Sequence, residues 1–297
     1  MRGIEANNVL WQLTFVLLTL WLSSPSDVWA QSGANDEFEA AIAPVNAETV
    51  GFEFPGPVDG TVRPVWVWRP RTSSQSRLPV LYMADGLTGL YVALLELKPA
   101  IDAGSVSPIM IVAIDAQPDP QDRVAEYLYG WPGGSDNFRA HEEWLLRDVI
   151  PWAERVQHAS DRREQRFIGG FSNGGDLALA LASRHPDIFG GALVHSPVGA
   201  QASWVDESSR QQRWVITGGT REGRGSLTRA GNLARQIVRA LEEQNAPLRS
   251  CIGRWDHRGR YWRLLSPGSL VWLMGLGSPE AAESSFERGK CRNIEQH

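Results

Sequence analysis

The sequence predicts an α/β fold: a mostly parallel, doubly wound sheet that begins with antiparallel N-terminal strands. Three observations carry this. Short β-branched or apolar runs recur along the chain, helical patterns of about ten residues or more separate most of them, and one Pro/Gly turn joins the first two runs directly.

The first two runs, around residues 51–54 and at 62–68, are linked by the turn sequence PGPVDG, which predicts an antiparallel pair. Apolar runs then follow at 79–83, 109–114, 166–170, 192–194, 214–217 and 248–252. Helical patterns lie among them at 91–103, 137–156, 175–184 and 227–244, and a last one, YWRLLSPGSLVWL, closes the series. Strands separated by helices of that length run parallel, with both faces of the sheet covered. Ligands of such sheets sit beyond the carboxyl ends of the strands, so chemistry is sought there.

Composition sets the outer limits. The chain has 297 residues, 42% hydrophobic and 21% charged, with only 2 Cys, which excludes collagen, coiled coil and a disulfide-stapled mini-domain. A net charge of -5 gives no general field for a phosphate backbone, so a small molecule is the expected partner and nucleic acid is not.

Residues 9–22 are almost continuously apolar and lead to Val28-Trp29-Ala30, a small-x-small pattern before Gln31. The run is shorter than the roughly 20 residues that span hydrocarbon, and reads as a secretory signal. The expected organisation is a signal peptide at 1–30 outside the fold, a loose arm at 31–47, one α/β domain at 48–277 and a polar tail at 278–297. The protein is expected to be secreted or periplasmic, with no stable membrane insertion after cleavage. In an oxidising compartment Cys251 and Cys291 are candidates for a bridge that would pin the tail, two free thiols being the alternative.

One motif at a strand end is specific. Gly170-Phe171-Ser172-Asn173-Gly174 is GxSxG, placed directly after the strand-like RFIGG and directly before a helical pattern. Such a turn holds its serine in a strained conformation with Oγ exposed, and flanking glycines let strand and helix approach. The amide of Asn173, at a helix N-terminus, can then stabilise an oxyanion. The second donor is expected after the third strand, from Leu87, with Gly86 the alternative, and Asp85-Gly86 forms the bend there and borders the substrate.

A serine nucleophile needs a base and the base needs an acid. Of six histidines, His141, His158, His185 and His297 read as structural. His195 closes the run after the serine helix and either lines the pocket or packs behind it. His257 follows the last strand on a loop at the same sheet edge as Ser172 and is the candidate base. The order serine, acid, histidine selects Glu222, shortly after the strand at 214–217, over Asp256 and Asp206. The Gly-rich GGTREGRG around Glu222 lacks the Lys-Ser/Thr of a phosphate loop.

These residues resemble a family. From about Leu78 to Leu273 the chain is similar to the putative-esterase branch of the α/β-hydrolases, which includes enterochelin, feruloyl and S-formylglutathione esterases. The resemblance rests on VLYMADG, RVAEYL, FRAHEEWLLRDVIPW, IGGFSNGGDLALALASRHPDIFG and DHRGRYW. In that family a histidine precedes a tryptophan by five residues, a spacing His257 and Trp262 keep, although Arg258-Gly259 stand where Asp-Trp is common. Glu222 lies three residues after Gly219, which matches the family's acid turn.

The resemblance implies an α/β-hydrolase fold and two-step acyl transfer. Ser172 attacks an ester, His257 moves the proton, Glu222 orients the imidazole, and Asn173 and Leu87 hold the oxyanion. No cofactor or metal is expected: HExxH is absent, and Asp115, Asp119 and Asp122 in DAQPDPQD lack calcium-loop spacing and read as a solvated loop. The stretch 116–137 is the expected roof of the pocket. Its Tyr127, Tyr129 and Trp131 either stack on an aromatic substrate or pack the loop onto the body. A secreted serine carboxylic ester hydrolase is the leading reading. An acyltransferase using the same acyl-enzyme, and a non-catalytic binding protein on a hydrolase scaffold, are the alternatives.

Overall fold

The computed structural model describes residues 3–5, 42–58, 60–71, 76–132, 134–222, 230–275, 283, 286–287 and 291. The apolar run at 9–22 and the cleavage pattern lie outside the described residues.

The strands are β1 (Gly3–Glu5), β2 (Thr49–Pro55), β3 (Val62–Trp68), β4 (Val80–Ala84), β5 (Met110–Ile114), β6 (Arg166–Phe171), β7 (Gly191–His195), β8 (Arg213–Gly219) and β9 (Leu248–Gly253). They form one nine-stranded sheet in the order β1-β2-β3-β5-β4-β6-β7-β8-β9. β1, β2 and β3 are antiparallel to their neighbours, and every pair from β5 through β9 is parallel. This is the α/β-hydrolase architecture, entered through antiparallel strands as expected.

After a helical segment at 42–46, the helices with defined bounds among the described residues are α1 (Gly86–Asp102), α2 (Pro120–Tyr127), α3 (Ser135–Trp144), α4 (Ile150–Val156), α5 (Asn173–Arg184), α6 (Ala230–Glu243) and α7 (Gly259–Met274). A single π-helical stretch, Leu145–Val149, joins α3 to α4. Pro151 explains it: with no N–H to donate and a ring that crowds the carbonyl four residues back, it needs the preceding turn widened.

Alternation along β4 divides the core. Val80, Tyr82 and Ala84 face one layer with Ile168, Val194, Leu177 and Leu181. Leu81 and Met83 face the other, with Leu90, Leu94, Leu270 and Leu273 of α1 and α7. Burial on both faces is why these strands read as continuous apolar runs.

Gly3–Glu5, inside the segment expected to be cleaved, pairs as the edge strand with β2, Gly3 opposite Phe52. Three expectations are corrected. The arm at 31–47 is not loose at its end, since Ile42 and Val45 are buried against the layer containing Trp66 and Trp68. The roof is not all loop: α2 lies within it, started by Asp119, whose side chain accepts from the amides of Gln121 and Asp122, and by Pro120 in the first turn. α1 starts at Gly86, five residues before the apolar periodicity begins.

Cys251 of β9 and Cys291 form a disulfide, their Cα atoms 5.0 Å apart. Phe286 is buried with Cys251, Trp255 and Leu265, so the described part of the tail is tied to the last strand.

Candidate active site

β6 runs next to β4 near the middle of the sheet and ends at the serine turn. Ser172 has φ 55 and ψ -127, a left-handed conformation rare for a residue with a Cβ, and α5 starts at the next residue. Its amide donates to His195 O at 2.9 Å, which fastens the turn to β7. The glycines are required. A Cβ on Gly170 would lie 2.3 Å from Gly174 O, and one on Gly174 would lie 2.9 Å from both Ala84 Cβ and Asp85 Oδ2.

Glu222 and His257 come from the loops after β8 and β9. Glu222 is 2% exposed. Its Oε1 accepts from the Gly219 amide at 2.8 Å and from Ser196 Oγ at 2.5 Å, and its Oε2 lies 3.2 Å from His257 Nδ1. In the tautomer that donates from Nδ1 to this carboxylate, Nε2 keeps its lone pair; Nε2 has no hydrogen-bond partner among the described residues, Ser172 Oγ included. The competing acids are engaged elsewhere. Asp256 lies 2.8 Å from Arg258 Nε, and Asp206 caps a short helical turn through the Ser208 amide.

Trp262 links this pair to the serine turn. Its ring stacks on Phe171, the residue before Ser172, at 4.4 Å between centroids, and stands edge-on to His257 at 4.9 Å. Its Nε1 donates to Ser196 Oγ at 2.9 Å, so Ser196 passes one hydrogen bond from Trp262 on to Glu222. Neither role of Ser196, nor its positive φ of 48, was signalled by a lone serine after an apolar run.

A charged network surrounds the other side of the serine. Arg123 of α2 reaches Asp85 Oδ1 with Nε and Nη2, each at 2.7 Å, and donates from Nη1 to Asn173 Oδ1 at 3.2 Å. Asn173 Nδ2 donates to Asp176 Oδ2 at 3.2 Å. Asp176 also accepts from the amides of Val198, Gly199 and Ala200 between 2.8 and 3.1 Å. Burial pushes its carboxyl up to about 6 despite those donors. Burial likewise raises Asp85, against the opposing pull of Arg123.

Leu87 and Asn173, the expected oxyanion donors, lie in the first turns of α1 and α5, where amides have no acceptor inside their own helix. The remaining candidates are placed differently from expectation. His195 does not line a pocket: it is fully buried, its Nδ1 2.7 Å from Thr217 Oγ1, and burial holds its pKa down to about 3, so it packs as a neutral ring. Asp85 turns Oδ1 to Arg123 while its buried Oδ2 has no hydrogen-bond partner among the described residues, and Gly86 is buried against Asp115, whose Oδ1 would be 1.8 Å from a Cβ there. Asp115, read as solvated, instead accepts from Trp66 Nε1 at 3.0 Å. It stands at the end of a buried strand, and composition could not show that. Tyr127 is buried, Tyr129 packs on Phe138 and Trp204, and Trp131 alone of the three roof aromatics is exposed, at 45%.

Comparison with known proteins adds the family. Among solved structures the chain is similar to a ferulic acid esterase, with TM-score 0.62 and 17% identity over 76% of this chain and 98% of that one. An S-formylglutathione hydrolase from Agrobacterium tumefaciens gives TM-score 0.59 and 15% identity over 76% and 94%. The enterobactin esterase of Shigella flexneri gives 0.57 and 18% over 80% of this chain and 59% of that one. A search of curated proteins finds no match. The family model described as "Putative esterase" matches residues 60–245, more than half of the sequence, and the chain therefore belongs to the esterase family with the α/β-hydrolase fold.

Proposed function

We propose that this ester hydrolase is an exported serine enzyme that cleaves small carboxylic esters through an acyl-enzyme on Ser172. The observation that carries the reading is the Glu222 to His257 contact, 3.2 Å long, beside a tryptophan stacked on the residue that precedes Ser172.

In this reading Ser172 Oγ attacks the ester carbonyl while His257 Nε2 takes its proton. The tetrahedral oxyanion is held by the amides of Asn173 and Leu87, at two helix N-termini whose partial positive charge favours it. Collapse expels the alcohol, which takes the proton from His257. Water, activated by the same nitrogen, then releases the acid and frees Ser172. Glu222 fixes the tautomer and stabilises the imidazolium formed in each half-reaction.

The solved relatives are named for ferulic acid, S-formylglutathione and enterobactin. Feruloyl and siderophore-type esters are accordingly the first substrates to assay, and exposed Trp131 on the roof is a candidate stacking surface for an aryl group. Export rests on the apolar run at 9–22 and the cleavage pattern at 28–30.

The test is Ser172→Ala in the purified protein. Hydrolysis of p-nitrophenyl acetate and feruloyl esters is expected to fall by at least ~1,000-fold with the melting temperature unchanged. Turnover retained by this variant would overturn the assignment. Mass spectrometry of the same preparation, exported by its own leader, is expected to find Gln31 first, and an intact leader on exported protein would refute cleavage there.

A further inference from the structure

We propose that Arg123 is a positioning residue that sets the distance between the two oxyanion donors, by tying Asp85, two residues before Leu87, to the side chain of Asn173. The inference rests on the serine esterase reading and concerns a residue to which that reading gives no part.

The geometry is specific to this task. The donors belong to separate loops: Leu87 follows β4 and Asn173 follows β6. Their strands are hydrogen-bonded neighbours, but the sheet constrains the backbone only as far as the pairing of Met83 with Gly169. Beyond that point both chains turn sharply, with Asp85 at φ 68 and Ser172 at φ 55, so the separation of the two amides is not fixed by the sheet. Arg123 spans the gap. Nε and Nη2 fork onto Asp85 Oδ1, and Nη1 reaches Asn173 Oδ1. A planar guanidinium holds both acceptors at a set spacing, which an ammonium on a flexible stem does not.

The helix that carries Arg123 is itself anchored. Tyr127, one turn further along α2, accepts from the Asp85 amide at 3.0 Å through its hydroxyl, so two side chains of α2 grip that residue. Its neighbour Glu126 is fully buried and lies 3.1 Å from Arg63 of β3 and 3.2 Å from His141. On the far side, Asn173 is held by Asp176, which is held by three consecutive amides. Arg123 is thus the one bridge, among the bonds described here, between a fixed Asp85 and a fixed Asn173. Displacing a donor by a fraction of an ångström weakens the bond most in the transition state, where charge on the oxygen is greatest.

The experiment compares Arg123→Lys, Asn173→Ala and the double variant, using a p-nitrophenyl ester and a trifluoromethyl ketone that mimics the tetrahedral intermediate. Asn173→Ala keeps the donating amide and removes the link to Arg123 together with the bond to Asp176. Each single variant is expected to lose roughly 10- to 100-fold in kcat with KM changed less than about threefold, and to bind the ketone more weakly by the same factor. The double variant is expected to lose no more than the worse single one, because both break the same bridge. Either single variant with kcat within threefold of the parent and an unchanged melting temperature would overturn the proposal. So would losses that multiply, or a loss confined to KM. If Arg123→Lys fails to fold, Asn173→Ala decides alone. A parent protein that hydrolyses no ester and leaves Ser172 unlabelled by a fluorophosphonate would instead strike at the esterase reading itself.

Discussion

The two sides of Ser172 are built from different interactions. On the side of α2 and α5, Asp85, Arg123, Asn173 and Asp176 form a chain of charged and amide groups drawn from several elements. On the side of α7, a single carboxylate, Glu222, is surrounded by neutral donors: the Gly219 amide, the Ser196 hydroxyl and the imidazole of His257. The first arrangement holds backbone amides still, and its charges are spent on one another. The second leaves one ring nitrogen, His257 Nε2, without a partner among the described residues. In the proposed serine esterase the first side would fix the oxyanion donors and the second would move the proton, rigid dipoles on one side and a free base on the other.

The sharpest way to break this comparison is Glu222→Gln. The amide oxygen can still accept from Gly219 and Ser196, so packing is kept, but an amide NH2 facing His257 favours the wrong tautomer. A fall in kcat of about 10,000-fold is expected, with the melting temperature little changed. A loss below tenfold would mean that the acid side does not direct the imidazole.

How far the sequence discloses each side follows from the same contrast. The parallel strands were legible because burial on both faces leaves unbroken apolar runs, and Ser172 because its turn demands glycines that survive as a pattern. Chain order was enough to single out Glu222 and His257, which lie 3.2 Å apart. Strand order was not legible, since periodicity says nothing about which strand lies beside which. α2 was hidden by its composition: PQDRVAEY has too few apolar residues to show a stripe, although Asp119-Pro120 is a helix-start signal. Arg123 and Ser196 were missed because each bonds partners 26 to 66 residues away, a relation that exists only in space. The acids near 115–122 look alike in sequence, yet Asp115 ends a buried strand and Asp119 caps an exposed turn.

Ser196→Ala tests whether the neutral side needs its support. The hydroxyl bonds a carboxylate and receives the Trp262 indole, so its removal leaves Glu222 with one donor fewer and Trp262 Nε1 unpaired. A hydrogen bond to a charged group contributes about 1.5–3 kcal/mol, which corresponds to roughly a 10- to 100-fold fall in kcat if all of it serves to orient His257. An unchanged kcat would show that the Gly219 amide and the ring contacts suffice.

The smallest expected effect is on stability, and it asks whether the charged side is held at a cost. Asp115 lies behind Gly86, and burial, with the Asp85 charge adding to it, pushes its carboxyl up to about 7 despite the bond from Trp66. A carboxyl whose pKa is higher in the folded chain keeps a proton there that the unfolded chain releases. Between about pH 4 and pH 7 the folded state therefore binds more protons, and this group's contribution to stability declines as pH rises through that window. Asp115→Asn keeps an oxygen to accept from Trp66 and removes the titration. Its melting temperature relative to the parent is expected to be higher at pH 8 than at pH 5 by on the order of a few degrees. The same difference at both pH values would show that the Asp115 charge is already compensated, and that the two sides of the serine differ in geometry and not in electrostatic strain.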